Sequence, residues 1–238
     1  MPLLREMRPA ELREAVERDC PLLLPAGCVE CHGNHLPLGC DTIVAESVAF
    51  AVADRIGAIV GPTIDYGPTG YAVSGPDRGT VDTPPAAFYA YARAVLAGLV
   101  RLGFQRIYII IHHQGPEGPE GTAFHFGAVT YFNELSRTRG EGWWGERKPE
   151  PYPTIQVLPT IPPNCAIRVP GDHAGQTETS LMLHLVPLAV DMSALKPGDF
   201  WYNWTPGDLS QDGSAELGRR YFDAMVDGLA KLIGPPAG

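Results

Sequence analysis

Four short apolar runs, separated by longer helical patterns, are the feature that most constrains the fold of this chain. The runs are PLLLPAG at 21–27, IGAIVGPTI at 56–64, RIYIIIHH at 106–113 and TIQVLPTI at 154–161. Continuous apolar runs of this length are typical of strands that are buried on both faces. Because such strands alternate with helical segments along the chain, the sequence predicts an α/β fold with a mainly parallel sheet.

The segments between the runs carry signals that begin and end helices. Asp41 and Thr42 can cap a helix that runs to about Ile56, and Pro84 and Pro85 open another that runs to about Leu102. Further helices are expected over about 121–138, 176–186 and 215–233, the last of them amphipathic.

Three long stretches rich in Gly, Pro and aromatic residues fit neither pattern, at 65–83, 139–153 and 187–213. Loops of this length in a compact domain are more often functional lids than linkers. Since no repeat or low-complexity segment marks a boundary, we expect one domain over residues 1–238.

The charge balance narrows the classes of partner. With 18 Lys and Arg against 27 Asp and Glu, the formal net charge is -9. Such a surface repels nucleic-acid backbones and anionic membranes, and no apolar stretch approaches the length of a membrane span. The number of cysteines, 5, is odd and favours a reducing compartment. We therefore expect a cytoplasmic protein with no nucleic-acid or membrane partner.

The densest group of polar residues, ECHGNHLPLGCD at 30–41, follows the first predicted strand. Ligand sites of α/β sheets lie at the carboxyl ends of strands. Glu30 and His32 are two residues apart, so in an extended segment they project to one side and could hold a metal ion together. Asp41 returns at the start of the next helix. Taken singly, a surface role for Glu30 and a capping role for Asp41 explain these residues equally well.

Two later segments carry similar chemistry. The strand RIYIIIHH delivers His112 and His113 to a Gly-containing turn, although alternation along a strand makes one of the pair a candidate for an ordinary buried histidine. The segment GDHAGQTETS at 171–180 places His173 and Glu178 five residues apart where a loop enters a helix.

Together these segments resemble the creatininase (creatinine amidohydrolase) family. LPAGCVECHGNHLPLGCDT at 24–42 is similar to the family's Gly-Ser-x-Glu-Gln-His-Gly-x-His-Leu-Pro signature, with an Asp eleven residues after the Glu. Later blocks resemble the family in the same order: YG at 66–67 with GT at 79–80, IIIHHQG at 109–115, HAGQTETSLML at 173–183 and GDLSQDGSAELGRR at 207–220. The resemblance implies a three-layer αβα fold and a homohexamer.

The same resemblance implies a dinuclear site for divalent metal ions. Glu30, His32, Asp41 and His113 fall on ligand positions, with Asp41 bridging the ions, and Glu178 is a further ligand. Mixed nitrogen and oxygen ligands suit Zn²⁺, Mn²⁺ or Fe²⁺. In creatinine-hydrolysing members a Glu two residues after the strand-end His is also a ligand.

The matching position in this chain is Gly115, so the second ion needs another carboxylate. Glu178 is the first choice for it, and Glu117 is the reserve.

The implied reaction is hydrolysis of a small cyclic amide or a related C–N bond by a metal-bridged hydroxide. His173 matches the family's catalytic His and would carry a proton to the leaving nitrogen, with Asp172 either orienting its ring or lying solvated in the loop. Ring opening of a cyclic polyol ketone of the inosose type and deformylation of a formamide stay open as alternatives, and a non-catalytic binding subunit is a further one.

Several residues depart from the family pattern close to the predicted site. Cys31 stands where the family has Gln, Cys40 replaces a small polar residue, and IHHQGPEG replaces an Asn-Gly-His-Gly-Gly-Asn loop. In the 65–83 segment, Tyr71 and Arg78 are candidates for substrate binding. Candidates for an aromatic wall over the substrate are Trp143, Trp144, Trp201 and Trp204, which could instead anchor loops or a subunit interface.

The cysteines allow two competing interpretations. Residues 28–32, CVECH, match the attachment pattern of a c-type haem, but attachment requires export, and the start of the chain has no signal-peptide pattern. Cys28, Cys31 and Cys40 could alternatively bind a structural zinc ion. We expect small buried cysteines instead.

Overall fold

The computed structural model describes residues 2–142, 153–204 and 209–235. Within these residues the sheet has four parallel strands in the order β2-β1-β3-β4. The strands are β1 (Leu22–Ala26), β2 (Ile59–Val60), β3 (Arg106–Ile111) and β4 (Thr154–Pro159). The α-helices are α1 (Pro9–Glu17), α2 (Cys40–Ile56), α3 (Pro85–Arg101), α4 (Pro119–Arg139), α5 (Gln176–Leu185) and α6 (Ala215–Ile233). Short 3-10 helices lie at Leu4–Glu6, Pro76–Arg78, Pro187–Ala189, Met192–Ala194, Trp201–Trp204 and Ser210–Asp212.

Alternation along β3 divides the core into two layers, one on each face of the sheet. Tyr108 and Ile110 pack into the cluster formed with α2, α5 and α6. Ile107, Ile109 and Ile111 pack into the cluster formed with α1, α3 and α4. Because both of its faces are covered, β1 is apolar throughout, and β3 is apolar after Arg106, as the runs in the sequence indicate. The edge strand β4 differs from the prediction of a buried strand, because Gln156 is exposed and only Val157 and Leu158 are buried. The predicted α/β fold with a three-layer αβα arrangement is confirmed.

Two elements differ from the sequence expectation. The run at 56–64 forms a ladder only over Ile59–Val60, with one isolated bridge from Ile64 to Ala26. Gly57 ends α2 in the left-handed region with a φ of 71°, and Pro62 has no N–H to donate, so a longer ladder cannot form. Helix α1 was not predicted, because its exposed charged residues hide a narrow apolar stripe.

Two further observations concern the expectations drawn from composition. Among the described residues, no helix combines the length and the apolar character that a membrane span requires. All of the cysteines are free thiols, and Cys165 alone among them is not fully buried.

The carboxyl ends of β1 and β3 lie side by side and carry the predicted polar segments. After β1 the chain passes so close to the start of α2 that a Cβ on Gly27 would lie 2.7 Å from the backbone nitrogen of Thr42. After β3, the backbone N–H of His112 donates to Ala26 O at 3.3 Å, and the N–H of Thr160 after β4 donates to Ile111 O at 2.9 Å. These contacts bring three strand ends and the first turn of α2 to one point.

A matched pair of glycines tests the packing of α6 on α5. A Cβ on Gly218 of α6 would lie 1.9 Å from Ser180 O in α5, whereas a Cβ on Gly98 of α3 meets nothing within 4 Å. We expect Gly218→Ala to lower the free energy of unfolding by about 1–3 kcal/mol through overpacking. Gly98→Ala should raise it by about 1 kcal/mol through helix propensity. Chemical denaturation of both variants checks the pair, and equal effects would contradict the described helix contact.

Candidate metal centre

Buried titratable side chains from four elements converge at the carboxyl edge of the sheet. The loop after β1 supplies Glu30 and His32, the first turn of α2 supplies Asp41, the end of β3 supplies His112 and His113, and the first turn of α5 supplies Glu178. The side chains of all these residues are buried, and that of His112 is 4% exposed. Buried charges need partners, and here the partners are each other.

Asp41 lies at the centre and presents one carboxylate oxygen to each side. Its Oδ2 is 2.9 Å from His113 Nδ1, and its Oδ1 is 3.2 Å from His32 Nε2. Burial opposes the charge on Asp41, but His32 and His113 together hold its pKa well below the usual range. Asp41 is therefore an anion between two imidazoles, which is the arrangement expected of a carboxylate that bridges two cations.

The first group of donors consists of Cys28, Glu30, Asp41 and His113. His113 Nδ1 lies 3.4 Å from Glu30 Oε2, and the thiol of Cys28 donates to Asp41 Oδ2 at 3.1 Å. His113 Nε2 donates to Pro68 O at 3.2 Å, so in the neutral ring the lone pair is on Nδ1 and faces the carboxylates. The ligand atoms in this group all lie within 4.8 Å of one another.

A second group lies on the other side of Asp41 and includes His32, His112 and Glu178. His32 Nε2 is 3.5 Å from Glu178 Oε2, and His112 Nε2 is 3.3 Å from Glu178 Oε1. His32 Nδ1 donates to Glu30 O at 3.1 Å, so its Nε2 also faces inward. Both histidines of the 112–113 pair thus face the centre, one on each side, although strand alternation had made one of them a candidate for an ordinary buried role.

Three polar atoms of the centre are buried without a hydrogen-bond partner among the described residues: Glu30 Oε1, His32 Nε2 and His112 Nε2. Orphaned buried donors and acceptors are rare in folded proteins and need an explanation. Imidazole nitrogens and carboxylate oxygens are the ligands that Zn²⁺, Mn²⁺ and Fe²⁺ take in proteins. The residues present therefore fit a site for divalent cations.

The metal-free centre compensates its carboxylates with protons. Burial alone would lower the pKa of His32, but Asp41 and Glu178 together raise it to about 10. In the same way, burial opposes protonation of His113, while Asp41 and Glu30 raise its pKa to about 9. Burial raises the pKa of Glu30 to about 7. The buried carboxylates of the centre therefore favour the protonated forms of both imidazoles.

His173 lies at the rim of this centre, and its side chain is 24% exposed. Its Nε2 donates to Cys31 O at 2.9 Å, and its Nδ1 lies 4.0 Å from Glu30 Oε2. The ring packs against that of His32, with 4.2 Å between the centroids. Burial and the charge on His32 lower the pKa of His173, so its ring is neutral and can accept a proton.

Asp172 contacts the start of α5. Its carboxylate accepts hydrogen bonds from the backbone N–H groups of Thr177 at 2.6 Å and Glu178 at 3.2 Å. These are the first turn of α5, where a carboxylate stabilises the helix. Asp172 therefore fixes the helix start that carries Glu178, while the ring of His173 is held by Cys31 O.

One pocket of about 380 Å³ borders the centre, and a second of the same volume lies at the loop that follows His32. The wall of the first includes His112, Glu178, Asp172 and Thr160. The second is bounded by Arg78 together with Cys31, Gly33, Asn34 and Asp77. Both volumes lie at the small end of the range for ligand sites.

The aromatic side chains beside His173 are Tyr202 and Phe200. Tyr202 meets His173 edge to face, with 4.9 Å between centroids, and stacks on Phe200 at 5.1 Å. The Arg78 guanidinium lies 4.5 Å above the Phe200 ring. Sequence reasoning missed both rings and named Trp201, which is 74% exposed and contacts the far side of Tyr202.

The other predicted substrate-binding residues have different outcomes. Tyr71 is exposed in the loop that follows Gly70, with a φ of 52°. Trp143 and Trp144 lie outside the described residues, as does the side chain of Trp204.

The cysteines of the CVECH segment have separate surroundings. Cys28 contacts Asp41 and His113, whereas Cys31 Sγ lies 3.8 Å from Tyr202 Oη. Cys40 joins His32 and Glu178 on the other side of Asp41. The three thiols therefore do not converge on one structural zinc ion, and buried Cys28 and Cys31 are not presented for haem attachment.

Glu120 is a further buried carboxyl that no sequence pattern indicated. It lies in the first turn of α4 with both oxygens buried and without a hydrogen-bond partner among the described residues. Its carboxyl is so close to Gly67 that a Cβ there would lie 2.8 Å away. Burial raises the pKa of Glu120 well above its ordinary value, with His113 opposing the shift and Asp41 adding to it.

Comparisons with known proteins find one family over most of the chain. The Creatininase family model, described as creatinine amidohydrolase, matches residues 5–233. Creatinine amidohydrolase of Pseudomonas putida is 27% identical, with 90% of this chain and 89% of that protein covered. The mycofactocin precursor peptide peptidase of Mycolicibacterium smegmatis is 30% identical, with 89% and 83% covered.

One further relative and one solved structure complete the comparison. The 3-dehydro-scyllo-inosose hydrolase of Thermotoga maritima is 32% identical over 48% of this chain and 36% of that protein. A solved creatininase structure titled as the Mn form superposes with a TM-score of 0.77 at 25% identity, covering 97% of this chain and 96% of the other.

The raised pKa of Glu120 predicts a pH-dependent cost to stability in the metal-free protein. In the unfolded chain its carboxyl loses a proton above pH of about 4.5, while the folded state retains it, so stability falls as pH rises. Glu120→Gln removes this cost. We expect the variant to be more stable than the wild type at pH 7 and to lose that advantage near pH 4, as measured by thermal unfolding with chelator. The exposed Glu117→Gln should change nothing, and equal behaviour of both variants would contradict the burial of Glu120.

Proposed function

Because the chain belongs to the creatininase family, we propose that it is a hydrolase that uses two divalent metal ions to cleave a small cyclic amide or a related C–N bond. The observation that carries the proposal is the position of Asp41, whose two carboxylate oxygens face separate groups of buried donors. A single ion would need only one such group.

The donors divide naturally between two ions. Glu30, Asp41 and His113 would hold the first, and His32, Asp41 and Glu178 would hold the second. Glu178 is preferred over Glu117 as the added carboxylate, because Glu178 is buried against His32 whereas Glu117 is exposed. Zn²⁺, Mn²⁺ and Fe²⁺ all suit these ligands. Three carboxylates and one hydroxide would balance the charge of two such ions, as burial requires.

Bound divalent ions lower the pKa of water and polarise a substrate carbonyl, which is the chemistry that amide hydrolysis needs. His173 supplies the proton transfer. Its lowered pKa leaves the ring neutral, its Nε2–H is held by Cys31 O, and its Nδ1 faces the centre and can accept a proton and pass it to a leaving nitrogen. Its partial exposure allows contact with a substrate while Glu30 stays buried.

The two pockets support a small substrate. Each has a volume of about 380 Å³; the first has His112 and Glu178 of the centre in its wall, and the second is lined by Cys31, which neighbours His32 in the chain. Arg78 is the cation at the second pocket and would bind an anionic or polyhydroxylated group. The homohexamer and the cytoplasmic location stay predictions.

A second candidate function is ring opening of a cyclic polyol ketone, which the similarity to an inosose hydrolase supports. The same metal chemistry serves both reactions. A panel of creatinine and other cyclic amides, formamides, short peptides and inososes, with products followed by mass spectrometry, separates the candidates. A product that carries a new carboxylate and a new free nitrogen group supports C–N cleavage, whether the two stay in one opened ring or separate. An acyclic acid formed from an inosose, which contains no nitrogen, supports ring opening by C–C cleavage.

Removing the bridging carboxylate should remove both the metal and the activity. We expect Asp41→Asn to lose most of the bound metal and nearly all turnover, because it loses a negative charge shared by both groups of donors. His173→Ala should keep two metal equivalents per chain and lose turnover by about 10²–10⁴-fold. Metal content by plasma mass spectrometry and steady-state kinetics check both variants.

The two outcomes are independent of each other. Asp41→Asn that retains two metals at full rate would exclude the proposed site. His173→Ala with an unchanged rate would leave the site in place and exclude the proton-transfer role.

Metal binding should displace protons from the centre. With pKa values of about 10 for His32 and about 9 for His113, both imidazoles are protonated at pH 7 in the metal-free protein, and a metal ion binds only their neutral forms. We therefore expect at least two protons to be released on full loading at pH 7, because Glu30, with a pKa of about 7, and the ionised water add to the two imidazoles. The apparent metal affinity should rise with pH up to about 9–10. Calorimetric titration in two buffers of different ionisation enthalpy measures the release. Fewer than one proton at pH 7 would show that the imidazoles are neutral before metal binds.

A further inference from the structure

We propose that His112 is a further ligand of the second metal ion, beside His32, Asp41 and Glu178. This inference rests on the proposed two-metal site and adds a residue that no part of the resemblance assigns. It gives the second ion two imidazoles, His32 and His112, and two carboxylates, Asp41 and Glu178.

The position of the His112 ring carries the argument. Its Nε2 lies 3.3 Å from Glu178 Oε1 and belongs to a group with Asp41 and Glu178 whose ligand atoms lie within 4.8 Å of one another. The same nitrogen is buried and has no hydrogen-bond partner among the described residues. A buried imidazole nitrogen aimed at two carboxylates without a hydrogen bond is expected where a cation lies between them.

The other ring nitrogen is held in the manner typical of metal-binding histidines. His112 Nδ1 lies 2.5 Å from Thr160 Oγ1, and Thr160 is buried at the end of β4. With Nδ1–H donating to this hydroxyl, the lone pair is on Nε2. Such partners fix the tautomer and the orientation of a ligand ring.

The direction of the backbone explains why His112 reaches this group of donors. Residues 112 and 113 leave the end of β3 towards opposite faces, so His112 lies on the α5 side with Glu178 while His113 lies on the α4 side. Directly afterwards, Gln114 and Gly115 adopt left-handed conformations with φ of 54° and 73°. Gln114 is exposed, and Gly115 has no side chain that could reach the ion.

An imidazole as the further ligand also fits the charge of the centre. Glu30, Asp41 and Glu178 already supply three negative charges, and a fourth buried carboxylate in the ligand set would leave an excess that burial disfavours. A neutral imidazole adds a donor without adding charge. Because a second imidazole favours Zn²⁺ or Fe²⁺ over Mn²⁺, the second ion should show that preference.

The test measures the affinity of each metal equivalent. Metal-free wild type, His112→Ala, His112→Gln and the exposed surface control His125→Ala are titrated with Zn²⁺ against a chromophoric chelator. We expect two tight equivalents for the wild type and for His125→Ala. Both His112 variants should keep one tight equivalent and bind the second at least 100-fold more weakly. Thr160→Val, which leaves the imidazole in place and removes its partner, should weaken the second equivalent by about 10–100-fold.

The outcomes separate this inference from the function on which it rests. Unchanged affinity for both equivalents in either His112 variant would overturn the role of His112 and leave the two-metal hydrolase standing. A wild type that binds fewer than two equivalents would overturn both. If the His112 variants fail to fold, as judged by circular dichroism, Thr160→Val decides, and an unchanged second equivalent there overturns the inference.

Discussion

The buried carboxylate of Asp41 is the interaction on which the rest of the centre depends. It lies in the first turn of α2, where the helix dipole favours a negative charge, and it faces His32 on one side and His113 on the other. The close approach of Gly27 to the backbone of Thr42 fixes the distance between the end of β1 and this turn. Any side chain at Gly27 would push the start of α2 away and move Asp41 out of its place between the two groups of donors.

The parallel sheet explains why residues far apart in sequence meet here, and why part of the site can be predicted from sequence. The position of Glu30, His32 and Asp41 after a strand made them candidates, the resemblance to the creatininase family implied that they are ligands, and the structure brings them together. His112 could not be assigned to the centre from sequence, because alternation along a strand sends neighbouring residues to opposite faces. Only the fold shows that further donors lie on both faces. Glu120 gave no signal either, since a Glu in the first turn of a helix is ordinary.

The aromatic wall illustrates a different limit. A sequence can supply a loop rich in aromatic residues, but which rings face a site depends on how the loop packs. In the 3-10 helix Trp201–Trp204, neighbouring side chains point in different directions, so Tyr202 packs against His173 while Trp201 lies in solvent. The five helices that the sequence predicted have nearly the expected ranges, whereas α1 was missed. The strand at 56–64 was predicted too long, across Gly57 and Pro62.

Protons on the histidines can compensate the buried negative charge of the carboxylates, and the proposed metal ions would compensate it with their own positive charge. Burial makes an uncompensated carboxylate costly, so His32 and His113 take up protons when no cation is present, and Glu30 shares that tendency with a pKa of about 7. Loss of these protons would free the inward lone pairs of both rings to bind the ions. His173 differs from them because burial and the neighbouring charge of His32 keep it neutral. The fold thus gives similar side chains two environments: His32 and His113 lie between carboxylates, as the proposed cation ligands require, and His173 lies at the rim with Nε2 bonded to a backbone carbonyl, as the proposed proton transfer requires.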